Sequence, residues 1–360
     1  MRARRVGVVG AVSLFVVQGV VSASGDAAPG PPRGRPPARV EVAPGRAREH
    51  RLPALAPVER DALARALRSG QLSEAEYALW RAWSLFHLDE VRRRFGAVAR
   101  PDPRAATLIL RDLAGRLTQL AGEERQRAER ILARPTDGAA DTEGDGYAVP
   151  AVSRCATNVC VHWVTSTDDA PDLTDADADG TPDWVETTMA VLEEVWTTEV
   201  TTLGYRAPKS DLTSPNHGPD ARLDVYLVDI GDAGLYGYCI TDDPNAVDPS
   251  YPYWDVSAYC VLDDDYAQAQ FPPPATSGIE ALQATAAHEF FHAVQYAYDW
   301  FEDAWFAEST AAWMEDVVYD DVDDNLQYLD TSPLHRPDRP LDWGRGFYQY
   351  GAWIFWRFLS

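Results

Sequence analysis

The sequence predicts an α+β protein, in which a helical N-terminal region precedes a body that combines a mixed or antiparallel sheet with long helices. Three observations lead to this fold class. Apolar residues recur at helical spacing through residues 57–134. From residue 151 onward, short segments rich in β-branched and aromatic residues alternate with amphipathic ones. The stretch 278–320 then returns to long apolar helical patterns, and 360 residues suffice for about two domains.

The first 24 residues have the features of a signal peptide. Arg2, Arg4 and Arg5 precede an apolar run at 6–21, and the small residues at 22–24 suit cleavage. A membrane anchor is the alternative, but the run is short and no stop-transfer cluster follows it. We therefore expect export to a secreted, cell-surface or periplasmic location, with no stable membrane insertion after cleavage.

Composition divides the rest of the chain into four parts. Residues 25–50 are rich in Pro, Gly and Arg, which predicts a disordered linker. Residues 51–135 form a helical region, residues 136–150 a polar linker, and residues 151–360 the body. Ser73 and Glu76 have the spacing of a capping box at the start of one helix.

Charge is distributed unevenly between the two halves of the chain. Residues 1–134 carry 24 Lys and Arg against 14 Asp and Glu, whereas residues 135–360 carry 8 against 42. The acidic body argues against nucleic-acid binding, because phosphates would be repelled. A basic block beside a body of opposite charge suits an intramolecular pro-region that assists folding or inhibits, although a permanent helical domain remains open.

The body begins with segments that predict strands and helices in turn. Strands are expected at "CVHWVTST" (160–167), 221–231, "GLYGYCIT" and "SAYCVLDDDY" (257–266), and helices at 182–205, 278–300 and 303–320. Residues 346–360 begin another helical pattern without a cap, so we expect the natural chain to continue. The four cysteines, behind an export signal, predict disulfides. The pairing that closes the shortest loops joins Cys155 to Cys160 and Cys239 to Cys260.

The segment "HEFFH" carries the main candidate site. Residues four apart share one face of a helix, so His288 and His292 can offer two imidazole nitrogens to one Zn²⁺. Glu289 follows the first histidine, where its carboxylate can act as general base on zinc-activated water. An ordinary buried helix would explain the flanking phenylalanines but not the charge of Glu289 on an apolar helix.

A third ligand is expected from "WFAESTAAWMED" (305–316), in which Glu308 is the first candidate. This stretch resembles the gluzincin metallopeptidases, whose glutamate ligand lies in a pattern similar to W-L-N-E-G-F-A-x-Y-x-E. The positions that match are Trp305, Glu308, Ala311, Trp313 and Glu315, and those that depart are Ala307, Ser309 and Thr310. The resemblance implies a zincin-like domain, Glu308 as zinc ligand and Glu315 as its neighbour that orients a ligand. Asp316 is the alternative to Glu315, and Glu302 or Asp303 to Glu308.

A further similarity lies at "YQYGAW" (348–353). Aminopeptidase-type gluzincins carry a Y-x-K-G-A segment whose tyrosine stabilises the oxyanion, and Tyr348 aligns with that tyrosine. His335 is the alternative donor. The chain upstream is also similar to a group of secreted bacterial metalloproteases. Zincins bind substrate along an edge strand just before the HExxH helix, which points to 257–266.

A second metal site is predicted at "DADADGTPDWVE". This segment fits a twelve-residue EF-hand loop, in which hard oxygen ligands at fixed spacing wrap one Ca²⁺. The ligands would be Asp175, Asp177, Asp179, Thr181 through its carbonyl, Asp183 and Glu186. Because no helix precedes the loop, a single structural site is expected rather than a sensor.

Together these features predict a secreted zinc-dependent endopeptidase with structural calcium, acting on a protein or peptide substrate. An inert, calcium-dependent adhesion or matrix-binding protein is one alternative. An aminopeptidase is another, although the chain has no G-x-M-E-N element of the kind that grips a free amine.

Overall fold

The computed structural model describes residues 61–137, 145–214, 216–245, 247–248, 250–344 and 346–360. The expected signal peptide, the linker 25–50 and residues 138–144 of the second linker lie outside these ranges. The fold is mixed α and β, as the sequence predicted. No helix in the described ranges is long and apolar enough to cross a membrane.

Five α-helices make up the described part of the N-terminal region. They are α1 (Ala62–Arg68), α2 (Glu74–Phe86), α3 (Leu88–Phe95), α4 (Ala106–Ala114) and α5 (Gly122–Ile131). The capping box is present: Glu76 N–H donates to Ser73 Oγ at 3.2 Å, and Ser73 N–H donates to Glu76 Oε2 at 2.6 Å. The single helical pattern from 73 to 96 is divided at His87, whose backbone leaves the helical region.

A five-stranded sheet forms the centre of the body. Its strands are β1 (Val152–Cys155), β2 (Val159–Trp163), β3 (Leu223–Val228), β4 (Gly237–Ile240) and β5 (Tyr259–Asp263). The order across the sheet is β1-β2-β3-β5-β4, with β2, β3 and β5 parallel and both outer strands antiparallel to their neighbours. Strands β2 to β5 are buried along their whole length, which explains why they are mostly apolar.

Both disulfides join directly opposed residues of neighbouring strands. Cys155 is bonded to Cys160 across β1 and β2, and Cys239 to Cys260 across β4 and β5. The pairing expected from the short loops is therefore confirmed. Disulfides of this kind persist in oxidising compartments, which fits an extracellular protein.

The remaining helices pack on the sheet or on one another and bring the candidate residues together. They are α6 (Asp183–Trp196), α7 (Gly278–Tyr296), α8 (Ala304–Val318), α9 (Tyr348–Gly351) and α10 (Trp353–Leu359). Helix α7 packs on β4 and β5 on one side and on α6 and α8 on others, so nearly all of its residues after Ala281 are buried. From the N-terminal region, α4 packs directly against β4.

Candidate metal centre

Helix α7 presents both histidines on the face that meets α8. The rings of His288 and His292 lie 4.9 Å apart, as expected for residues one turn apart on a helix. Both are buried, at 7% and 1% exposure. Two imidazoles held this close inside an apolar helix need polar partners, because burying a polar group without one costs free energy.

Glu308 of α8 faces the two histidines. Its Oε2 atom lies 3.3 Å from His288 Nε2 and 3.9 Å from His292 Nε2, and the carboxylate is fully buried. One ligand atom from each of the three residues falls within 4.8 Å of the others. The alternatives lie elsewhere, since Asp303 is exposed and its N–H is bonded by the Glu302 carboxylate at 2.9 Å.

Two polar atoms in this cluster are left without partners. His292 Nε2 and Glu308 Oε1 are buried, and neither has a hydrogen-bond partner among the residues that the structure describes. Buried polar atoms are nearly always satisfied, so such a pair calls for an explanation. Two imidazole nitrogens and one carboxylate are a donor set that Zn²⁺ takes at catalytic sites, and the residues present therefore fit that ion.

The outer nitrogens of both histidines are held by hydrogen bonds. His288 Nδ1 lies 2.7 Å from Glu315 Oε1, and His292 Nδ1 lies 2.8 Å from Gln295 Oε1. The Gln295 amide is itself fixed, because it donates to the Ala307 carbonyl and the Thr310 hydroxyl at 2.9 Å each. Such contacts set the ring orientation and direct Nε2 toward the cluster.

Glu315 and Gln295 contact the outer nitrogens of the two histidines, and the sequence analysis singled out only the first of them. Glu315 stands where it was expected, whereas the alternative, Asp316, pairs with Arg357 at 3.1 Å. Gln295 was missed by the sequence analysis, although its position three residues after His292 on the same helix face was a usable signal.

Burial and charge shift the pKa values of the cluster in opposite directions. Burial alone would lower the pKa of His288, but hydrogen bonds to Glu308 and Glu315 raise it well above its ordinary value. Burial lowers the pKa of His292 to about 4. Burial also raises the pKa of Glu315 to about 7. The carboxylates of Glu308 and Glu315 thus stabilise positive charge at this position, and a bound dication would be stabilised in the same way.

Glu289 points toward the sheet edge and the N-terminal region. Its Oε2 atom accepts a hydrogen bond from the Thr107 hydroxyl of α4 at 2.8 Å, and Thr107 Oγ1 accepts from the Cys239 N–H of β4 at 2.9 Å. Burial raises the pKa of Glu289 to about 7, against the opposing effects of His288 and Thr107. No pattern in the sequence indicated that a threonine 182 positions away would contact this carboxylate.

A cavity adjoins Glu289 and His288. It is lined by Tyr236 and Gly237 at the start of β4, by Thr285 of α7, and by Arg104 and Tyr328. Gly237 is required at this wall, since a Cβ there would stand 2.8 Å from the Thr285 methyl carbon.

The tyrosine beside the cluster is Tyr350 and not Tyr348. The Tyr348 hydroxyl donates to the Arg339 carbonyl at 3.2 Å, and the charges around it come from residues 336–339. The Tyr350 ring lies 6.2 Å from that of His288, and its hydroxyl is buried with no hydrogen-bond partner in the described ranges. Burial is the largest cause that raises the pKa of Tyr350, and the charge of Glu308 is the next largest. His335 has an exposed side chain.

The edge strand next to α7 also differs from the prediction. The segment 257–266 contains β5, which is paired on both sides by β3 and β4 and is therefore internal. Strand β4 occupies that end of the sheet. The expectation of β5 as the edge was wrong, because the chain leaves β4 and returns one position inward.

Another acidic residue near the cluster, Glu199, was not predicted from the sequence. Glu199 lies in a π-helical turn (Thr197–Thr202) after α6, and both carboxylate oxygens are buried without a hydrogen-bond partner in the part of the chain described. Burial raises its pKa well above the ordinary value, and His288 is the charge that opposes this rise.

The candidate calcium loop has its carboxylates close together. Oxygens of Asp175, Asp177 and Asp179 lie within 4.8 Å of one another. Asp183 and Glu186 lie in the first turn of α6, and Asp183 Oδ1 accepts the Ala176 N–H at 3.0 Å. Burial raises the pKa of Glu186, and the charges of Asp175, Asp177, Asp179 and Asp183 raise it further. Thr181 is buried beside them.

A third acidic group, Asp229, Asp263 and Asp264, was not singled out from the sequence. Burial raises the pKa of Asp263 to about 7 and that of Asp264 to about 8. Asp263 also accepts the Gly231 and Tyr266 N–H groups, at 2.5 and 2.7 Å, which assigns it a structural role in the turns around β5.

No family model, curated protein or solved structure matches this chain. Functional inference therefore rests on the geometry of the site.

Proposed function

We propose that this protein is a zinc-dependent endopeptidase of gluzincin type. The observation that carries the proposal is the convergence of His288, His292 and Glu308 within 4.8 Å, with His292 Nε2 and Glu308 Oε1 buried and unpartnered. Zinc held there would supply a Lewis acid and activate water near neutral pH. The two disulfides are compatible with an exported enzyme.

The chain's own residues divide the remaining work. Glu289 is the proposed general base, since its carboxylate follows the first histidine and has a pKa of about 7, where it can both take and return a proton. Tyr350 offers a buried hydroxyl beside His288 and Glu308 for charge that develops on the substrate carbonyl. Glu315 and Gln295 orient the histidines.

Peptide bonds are the proposed substrate because β4 is the outermost strand at its end of the described sheet and its outer edge, now covered by α4, lies beside Glu289. An extended peptide can add to such an edge through backbone hydrogen bonds. The proposal thus moves the substrate strand from 257–266 to Gly237–Ile240.

Calcium is proposed as a structural ion in the loop that begins at Asp175. Oxygens of Asp175, Asp177 and Asp179 lie within 4.8 Å of one another there, and like charges this close destabilise one another unless a cation is bound. Asp183 and Glu186 would tie that ion to the first turn of α6.

Metal analysis and hydrolysis together test the proposed enzyme. We expect about one zinc per chain in purified protein, lost in His288→Ala and retained in Glu289→Gln. Hydrolysis of casein and of aminoacyl anilides is measured in the wild-type chain and, because Thr107 contacts Glu289, in Thr107→Val. Casein cleavage that Glu289→Gln and chelation both abolish would support the proposal.

Other outcomes favour the alternatives. Turnover of anilides alone would indicate an aminopeptidase. Bound zinc with no turnover in any variant would indicate an inert adhesion or matrix-binding protein. Absence of zinc from wild-type protein purified without chelators would refute the metal site itself.

A further inference from the structure

The contact between Thr107 and Glu289 places part of the N-terminal region inside the proposed active site. Thr107 Oγ1 donates to Glu289 Oε2 at 2.8 Å and accepts from Cys239 N–H at 2.9 Å. The hydroxyl therefore bridges the proposed general base and the strand on which substrate would pair. Both partners are buried, at 4% exposure for Glu289 and below 1% for Cys239.

The backbone N–H of Cys239 points away from β5, toward the outer edge of β4. Cys239 is directly opposed to Cys260 of β5 and joined to it by the disulfide, yet its N–H donates to Thr107 and not to β5. In an antiparallel pair, residues whose N–H groups point away from the partner strand offer them to the next strand. The next strand of an added peptide would present a backbone carbonyl where Thr107 Oγ1 now accepts.

Helix α4 is held firmly in this position. All nine of its residues are buried, between α2 on one side and β4 on the other. Arg111 Nη1 donates to the Trp300 carbonyl at 3.3 Å, just beyond α7. Before the helix, Arg104 lies over the rings of Tyr236 and Tyr328, at 5.4 and 5.5 Å, on the wall of the cavity beside Glu289.

We propose that the N-terminal helical region keeps this enzyme latent, with α4 occupying the substrate groove along β4 and Thr107 taking the hydrogen bonds of a peptide backbone. The inference rests on the proposed endopeptidase function and adds its regulation. Substrate can pair with the β4 edge at Cys239, beside Glu289, only when α4 moves away. The groove then accepts an extended, unstructured polypeptide, because only a strand can follow the β4 edge.

A different role for Thr107 makes the opposite prediction. If its hydroxyl served to position Glu289 for catalysis, its removal would lower turnover and leave α4 in place. If the hydroxyl instead holds α4 against β4, its removal leaves Glu289 and Cys239 without that hydrogen bond and loosens α4. The two roles therefore differ in the sign of the change in activity and in the protection of β4.

Hydrogen exchange and casein hydrolysis, both measured on the full chain, test whether Thr107 holds α4 on β4. In Thr107→Val, which keeps the branched shape, we expect about tenfold faster amide exchange in 106–114 and at Cys239, since a lost hydrogen bond that leaves buried partners shifts local opening by about that factor. Casein hydrolysis should rise by a similar factor, because activity follows the open population. Thr107→Ser keeps the hydroxyl and should retain the protection of the wild type.

The matched control is Thr118→Val, at an exposed threonine of the same region, which should leave exchange and hydrolysis as in the wild type. Unchanged exchange in Thr107→Val, or hydrolysis that falls while zinc is retained, would overturn latency. The zinc content distinguishes a failure of the latency proposal from a failure of the proposed enzyme function. A chain without zinc refutes the enzyme, whereas exchange still decides whether α4 covers β4.

Discussion

The outer nitrogens of the two histidines show how single residues prepare the proposed site. Glu315 reaches His288 from α8, whereas Gln295 reaches His292 from the same helix, and both contacts are shorter than 3 Å. Each fixes which ring nitrogen faces Glu308. Metal affinity should therefore depend on residues that do not contact the metal themselves.

Glu315→Ala tests this dependence. We expect zinc affinity to fall by about 10- to 100-fold, because His288 loses the acceptor that fixes its ring and raises its basicity. Competition with a chromophoric chelator at constant pH measures the change. Asp316→Ala is the matched control, since that neighbour pairs with Arg357 and should leave zinc affinity unchanged. Equal losses in both variants would contradict the orienting role.

Tyr350→Phe tests the second residue-scale role. We expect kcat toward casein to fall by roughly 100-fold with little change in KM, because a donor to a developing oxyanion acts mainly in the transition state. The assay is made on the Thr107→Val chain so that the site is open. Tyr348→Phe in the same chain should keep its kcat, since that hydroxyl binds the Arg339 carbonyl. A loss in Tyr348→Phe alone would reverse the assignment.

The sequence predicted those site residues whose relation is local. The spacing of His288 and His292 determines a shared helix face, and Glu308 followed from a motif on the next helix. Tyr350 and Tyr348 could not be separated, because α9 is only four residues long and its phase depends on the preceding loop. Thr107 was beyond reach, since its contact with Glu289 spans 182 positions and depends on tertiary packing alone.

At the scale of elements, the acidic loop and the start of α6 form one unit. Asp183 and Glu186 lie in the first turn of the helix, and Asp175 Oδ2 accepts the Gly180 N–H at 3.0 Å across the loop. Acidic residues at a helix N-terminus are favourable, but the clustered carboxylates of Asp175, Asp177 and Asp179 repel one another and Glu186. A bound cation would therefore stabilise loop and helix together.

Calcium should raise the thermal stability of the protein. At a concentration of about 100 times Kd, one site adds about 2.7 kcal/mol to the free energy of unfolding, and EGTA should remove it. Differential scanning calorimetry with and without calcium measures the shift in Tm. Asp177→Asn should reduce the shift, whereas Asp168→Asn, at an exposed aspartate outside the loop, should not. An unchanged Tm of the wild type with and without calcium would exclude the calcium site.

The sequence predicted the elements better than their arrangement. The capping box at Ser73, the four expected strands and the two long helices form where their patterns indicated, whereas β1 was not predicted. The error lay in the order of β4 and β5, which have similar aromatic and cysteine content. Composition cannot tell an internal strand from an edge strand when a neighbouring helix, here α4, buries the edge as well.

At the scale of the whole molecule, the opposite charges of the two halves meet at one buried residue. Arg134, after α5, bonds three aspartates of the body: Asp211 at 2.8 Å, Asp224 at 2.8 Å and Asp242 at 2.7 Å. Its side chain is only 2% exposed. The basic character of the N-terminal region thus includes a specific buried network in addition to long-range attraction.

Arg134→Met should destabilise the helical region and the body together. Removing one partner of a buried ion network leaves uncompensated charge and costs about 3–5 kcal/mol, which we expect in the free energy of unfolding by urea. Arg125→Met is the control, because that arginine is exposed and pairs with Glu129 one turn away, where about 0.5 kcal/mol is at stake.

Far-ultraviolet circular dichroism and tryptophan fluorescence show whether Arg134→Met destabilises the helical region and the body together or only one of them. If Arg134 couples the two regions, both signals should shift to lower urea concentration in a single common transition. An early transition confined to part of the helical signal would show that the N-terminal helices unfold on their own and that the sheet does not depend on them. That result would also make latency easier to relieve, because α4 could leave β4 without unfolding the body.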